Sequence, residues 1–99
     1  MPEIRFHVLW PDGTEEACYS PSTVVMDHFV AGASYPLVEF GEKARTALDA
    51  ASERVRQRFG MGCAQAMNQA QAIEETVAKF GSEAARVSDV SVTVIRFEQ

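Results

Sequence analysis

The chain has no excess of positive charge, no long apolar run and few residues of the kinds that do chemistry. Its 9 Lys and Arg are outnumbered by 14 Asp and Glu, for a formal net charge of −5. That balance opposes binding to phosphate backbones and to anionic lipid. The basic residues form no patch either. Lys43, Arg45, Arg54, Arg56 and Arg58 interleave with Glu39, Glu42, Asp49 and Glu53, the pattern of a solvated helix face. Neither nucleic acid nor membrane is expected as a partner. No stretch approaches the ~20 apolar residues that span a bilayer. The opening Met1-Pro2-Glu3-Ile4-Arg5-Phe6 lacks a basic region followed by an apolar one, so a cytoplasmic protein without a signal peptide is expected.

Chemistry-bearing residues are equally sparse. The only histidines, His7 and His28, have no partner at metal-ligand spacing, and no cofactor or metal is expected. Ser20, Ser22 and Thr23 sit in no Gly-x-Ser-x-Gly elbow and have no evident base, so capping and turn roles explain them. Glu15-Glu16 and Glu74-Glu75 are consecutive, so their side chains diverge rather than share a proton. Gly60-Met61-Gly62 lacks the Lys and Ser/Thr of a phosphate loop. No catalytic residue emerges, and the balance leans away from an enzyme.

Ninety-nine residues at 46 % hydrophobic content suit one globular domain spanning 1–99. Ile4, Phe6, Val8 and Trp10 alternate with Arg5, His7 and Leu9, the period of a half-buried strand. Pro11-Asp12-Gly13 then reads as a three-residue hairpin loop, leading into a second strand from Thr14 to about Ser20. That loop sets a register: Trp10 faces Thr14, Val8 faces Glu16, Phe6 faces Cys18 and Ile4 faces Ser20.

Ser20-Pro21 suggests a cap before a short helix from Ser22 to Phe29, although Thr23-Val24-Val25 would also suit a strand. Ser34 followed by Pro36 is expected to open a long helix, with Leu37, Phe40, Ala44, Leu48, Ala51, Val55 and Phe59 as its apolar stripe and Gly60 and Gly62 as its end. Cys63, Ala66, Ala70, Ile73, Val77 and Phe80 mark a second helix, with Gly81 as its stop. Alanines on the facing stripes allow an antiparallel pair to pack closely. The β-branched tail from about Asp89 to Phe97 reads as a third strand. The expected fold is α+β, a two-layer β-β-α-α-β domain. An antiparallel helical hairpin covers one face of a three-stranded sheet, and the third strand runs parallel beside the first.

Two layers leave one sheet face uncovered. His7, Leu9, Tyr19, Ile95 and Phe97 are expected there, a mixture too apolar for a fully wet surface and a candidate for self-association or partner docking. Folding back of residues 20–34 over that face is the alternative. The thiols are the remaining candidates. Cys63 stands near a helix start, where amides and the helix dipole activate thiols, yet it also lies on the packing stripe; Cys18 faces the same core.

Several segments resemble a family of small bacterial proteins of the nitrogen-starvation response. They are Met1-Pro2-Glu3-Ile4-Arg5-Phe6, Trp10-Pro11-Asp12-Gly13, the run Glu16-Ala17-Cys18-Tyr19-Ser20-Pro21-Ser22-Thr23-Val24-Val25, Ser34-Tyr35-Pro36-Leu37 and Ala51-Ser52-Glu53-Arg54-Val55. The family is encoded in a gene cluster with a nitrilase, a radical S-adenosylmethionine protein, an acetyltransferase and a flavoprotein. The resemblance implies an accessory role in a nitrile- or cyanide-linked nitrogen pathway and assigns no catalytic residue. Tyr19, Ser20, Ser22 and Tyr35 are the candidate recognition residues within it. Two functions follow as expectations. One is a non-catalytic adaptor or binding protein, homodimeric through the open face, that serves the enzymes of its cluster. The other is a small thiol-dependent enzyme or small-molecule binder using Cys63 or Cys18. A weaker third is a sensor of a nitrogen metabolite.

Overall fold

The computed structural model describes residues 3–84 and 90–99. Strand β1 (Ile4–Leu9) pairs antiparallel with β2 (Glu15–Ser20). The register is the one the loop dictates: Ile4 opposite Ser20, Phe6 opposite Cys18, Val8 opposite Glu16. The turn is closed from both sides. Trp10 N–H donates to the Thr14 carbonyl at 2.8 Å and Gly13 N–H to the Trp10 carbonyl at 2.9 Å. Gly13 has φ 90°, a conformation that a side chain disfavours, and Asp12 Oδ1 accepts from Thr14 N–H.

After β2 the chain departs from expectation. Ser22 caps a 3-10 helix over Thr23–Asp27, its hydroxyl accepting from Val24 N–H at 3.2 Å. Val25 and Phe29 then bury themselves against the helical side of the sheet, and the Phe29 ring stacks 6.0 Å from Phe6. Residues 21–33 therefore cross the sheet on its covered face and leave the other face open. Ser34–Pro36 is not a helix start but a short strand, β3, paired antiparallel with β4 (Ser91–Glu98). The Ser34 hydroxyl bonds Thr93 Oγ1 at 2.7 Å instead of capping a helix.

This extra strand corrects the expected topology. The sheet has four strands, not three, in the order β2-β1-β4-β3. The crossing segment and β3 add one reversal of direction, so β4 runs antiparallel to β1 rather than parallel. Asp89, the expected start of the last strand, lies outside the described residues.

Helix α1 (Leu37–Phe59) begins directly after β3, with the Leu37 N–H held by the Val90 carbonyl at 3.0 Å. It ends at Gly60, whose φ of 83° lets its N–H turn back onto the Arg56 carbonyl. Helix α2 (Ala64–Ala84) runs through Gly81, so this glycine does not stop it. The two helices form an antiparallel hairpin. Gly41 lets them close up, because a Cβ there would stand 3.3 Å from a Val77 methyl. Buried Ala44, Ala47, Ala51, Ala66 and Ala70 complete the tight seam. The core between helices and sheet holds Ile4, Phe6, Val8, Trp10, Cys18, Phe40, Leu48, Ile73, Val92 and Val94. Trp10 packs edge-on against Phe40, and its Nε1–H donates to Glu16 Oε1 at 2.8 Å.

Candidate functional site

The uncovered sheet face is built by the odd-numbered residues of β1 and β2 and by the outward residues of β4. Its centre is His7, which is only 8 % exposed although no apolar layer lies over it. Charged side chains enclose it instead. His7 Nε2 lies 2.9 Å from Glu98 Oε1, and its Nδ1 lies 3.4 Å from Arg96 Nη2 and 3.6 Å from Glu15 Oε2. Arg96 and Glu15 also face each other at 3.6 Å. The hydrogen bond from His7, and then its charge, hold the Glu98 carboxyl below the usual range. The imidazole thus joins carboxylates from the two strands flanking β1.

A bulge in β4 sets which residues reach this face. Val94 pairs with Val8 but Arg96 pairs with His7, so Ile95 is an extra residue in β4. Beyond it the alternation inverts. Phe97 falls opposite Phe6 and packs against the core cluster, so its expected place on the open face is corrected. Arg96 takes the position beside His7. Of the apolar candidates, Leu9 is 38 % exposed and Ile95 half-buried. Tyr19 stands at the outer margin, with the Arg5 guanidinium 5.5 Å from its ring centroid. Its hydroxyl is pushed up to about 12, chiefly by burial, then by Cys63 and Glu3. Residue-by-residue reading placed His7, Leu9 and Glu15 on this face but missed Arg96 and Glu98. The alternation at the chain end signals these partners only once the bulge is known.

The polar recognition candidates are engaged internally. Ser20 and Ser22 are fully buried, with Ser20 Oγ–H donating to the Ser22 carbonyl at 2.7 Å. The Tyr35 hydroxyl accepts from Val30 N–H at 2.9 Å while its ring meets Phe29 edge-on. Of the four, Tyr19 borders a surface groove of about 580 Å³ between β2 and α2, lined also by Glu3, Arg5, Glu16, Gln65, Asn68 and Gln69. The two thiols differ. Cys18 has no exposed surface, and burial pushes its thiol well above the ordinary value. Cys63 is half-buried at the residue before α2, its N–H donating to Ser52 Oγ at 3.0 Å. Both are free. Among the described residues no cluster of three or more His, Cys, Asp or Glu side chains has the geometry to hold a metal ion. Nor is any described helix long and apolar enough to cross a membrane.

A family model described as nitrogen starvation-induced protein NitG matches residues 5–97, nearly the whole chain. The chain belongs to this family. No curated protein and no solved structure matches it. The matched span contains the hairpin loop, both helices and the bulge in β4; of the groups around His7 it includes Glu15 and Arg96 but not Glu98.

Proposed function

We propose that this member of the NitG family is a non-catalytic accessory protein of a nitrile- or cyanide-linked nitrogen-assimilation pathway. Its open sheet face would dock an enzyme of its nitrilase-containing gene cluster in the cytoplasm. The observation that supports this reading is the cluster of charge around His7. Glu15 and Glu98 each contact His7, and Arg96 contacts both His7 and Glu15, on a face that no other part of the described chain covers. Paired charges select partners by complementarity. Leu9 and Ile95 beside the cluster supply a small apolar contact. The thiol-dependent alternative is better carried by Cys63, because Cys18 is fully buried and burial pushes its thiol up.

Calorimetric titration of the purified protein against each enzyme of the cluster tests the proposal. Saturable binding to one of them is expected. Leu9→Glu or Arg96→Glu should weaken it roughly tenfold or more without moving the thermal midpoint much. Failure of the wild-type protein to bind any cluster enzyme overturns the reading. If alkylating Cys63 in the native protein leaves binding intact, the thiol plays no part in it.

A further inference from the structure

We infer that the outer edge of β2 is a self-association seam, where a second copy of this chain adds its own β2 to make one continuous eight-stranded sheet. The two edges of the sheet are unequal. At one edge β3 has three residues, ends in Pro36 and passes straight into α1, so it offers little for another strand to pair with. At the other, β2 is six residues long and pairs regularly with β1. It carries neither proline nor bulge, and its guards are the charges of Glu15 and Glu16 and the Gln69 side chain of α2, which caps one outward amide.

The hairpin register fixes which backbone groups are available. Trp10 and Thr14 form a hydrogen-bonded pair, so by alternation the even residues of β2 bond to β1 and the odd residues point outward. Glu15, Ala17 and Tyr19 thus present their N–H and C=O groups to the groove beside α2. One of these donors shows what the edge accepts. Tyr19 N–H donates at 2.9 Å to Gln69 Oε1, and on pairing it would exchange that side-chain carbonyl for the Glu15 carbonyl of the second copy.

The sequence of β2 favours itself as the partner in one register. With the two-fold axis at Ala17, two methyl groups meet at the centre. Glu15 then lies opposite Tyr19 of the second copy, next to the Arg5 guanidinium stacked on that ring. The two Glu15 carboxylates stay roughly 13 Å apart along the strands. An axis at Glu16 would oppose two glutamates, which is unfavourable. An axis at Cys18 brings Glu15 against Pro21, which has no N–H to give.

The helical layer agrees. Each copy carries a net charge of −5, yet no charged residue occurs between Arg58 and Glu74. Along the β2 groove α2 therefore offers Gln65, Asn68, Gln69 and Ala72, an uncharged amide face, and the groove's charges, Glu3, Arg5 and Glu16, lie on the strand side. This seam lies at the margin of the docking face and would join two such faces into one surface.

Light scattering over a concentration series on the full chain tests the inference. A mass near twice 10.9 kDa is expected at high concentration. Ala17→Pro removes only an outward N–H, so the fold should persist by circular dichroism while the dissociation constant rises roughly 100-fold. Glu15→Arg should weaken the dimer, and Glu15→Arg with Arg5→Glu should restore part of it. In a Cys63→Ser background, Ala17→Cys should form a disulfide-linked dimer under mild oxidation. A monomer at millimolar concentration overturns the inference. So does a dimer that survives Ala17→Pro but dissolves with Leu9→Glu, which would place the seam on the open face. Loss of enzyme binding with the dimer intact would instead count against the docking proposal alone.

Discussion

Phe6 and His7 are neighbours on β1, both are buried, and they are buried by opposite means. Phe6 points into the layer of Phe29, Phe40 and the helices, where contact among apolar groups excludes water. His7 points to the open side, where two carboxylates and a guanidinium close around it. Apolar burial is non-directional and contributes in proportion to area, about 25 cal/mol per Å². A cluster of half-exposed charges contributes far less to stability, because solvent already satisfies each member. What it provides is fixed geometry. The covered face holds the molecule together, and the open face is where stability could be given up for recognition.

Removing the apolar side of this comparison should have the largest effect. Phe6→Ala is expected to cost about 3–5 kcal/mol in urea unfolding, since nothing on the helical side can collapse into the void. An intermediate effect should come from the bulge in β4. Phe97→Ala should cost about 1–2 kcal/mol because Phe97 packs on the core cluster, whereas Arg96→Ala should cost less than about 0.5 kcal/mol. Equal costs, or a reversed order, would mean that the bulge is misplaced and that the two residues have exchanged faces.

That bulge also marks where sequence reasoning stops. The β1–β2 register was legible to the residue, because Pro11-Asp12-Gly13 fixes the loop length and loop length fixes pairing. The helical hairpin was legible because its stripe repeats over more than five turns of α1. The short helix expected over Ser22–Phe29 is present as a 3-10 helix at Thr23–Asp27, whereas the three-residue strand Ser34–Pro36 is shorter than any period and gave no pattern to count. Missing β3 then reversed the direction expected for β4. One extra residue, Ile95, inverted the faces beyond it, which moved Phe97 to the core and Arg96 beside His7. The charge cluster was therefore only partly legible. His7 and Glu15 showed themselves by position, but Arg96 and Glu98 depend on a bulge that no local residue announces.

On the open side, His7→Ala should cost about 1 kcal/mol, the scale of one lost hydrogen bond rather than of a core void. A cost near that of Phe6→Ala would collapse the distinction between the two faces. In that case the open face would be a second core and a poor candidate for docking.

The smallest effect separates the faces by pH. Glu98 has its carboxyl held below the ordinary value of 4.5 by the bond from His7, so the unfolded chain takes up a proton there before the folded one does. The stability from this pair is therefore present above the ordinary carboxylate range. It fades as the pH falls through the lowered value. Glu98→Gln should flatten that part of the acid limb of a thermal-midpoint profile while leaving the midpoint near neutral pH almost unchanged. The same measurement on Phe6→Ala should lower the curve at every pH without changing its acid slope, because no proton is bound or released on the covered face of β1. If Glu98→Gln left the acid limb as steep as in the wild-type protein, the bond between His7 and Glu98 would not persist in solution, and the cluster around the imidazole would be open on that side.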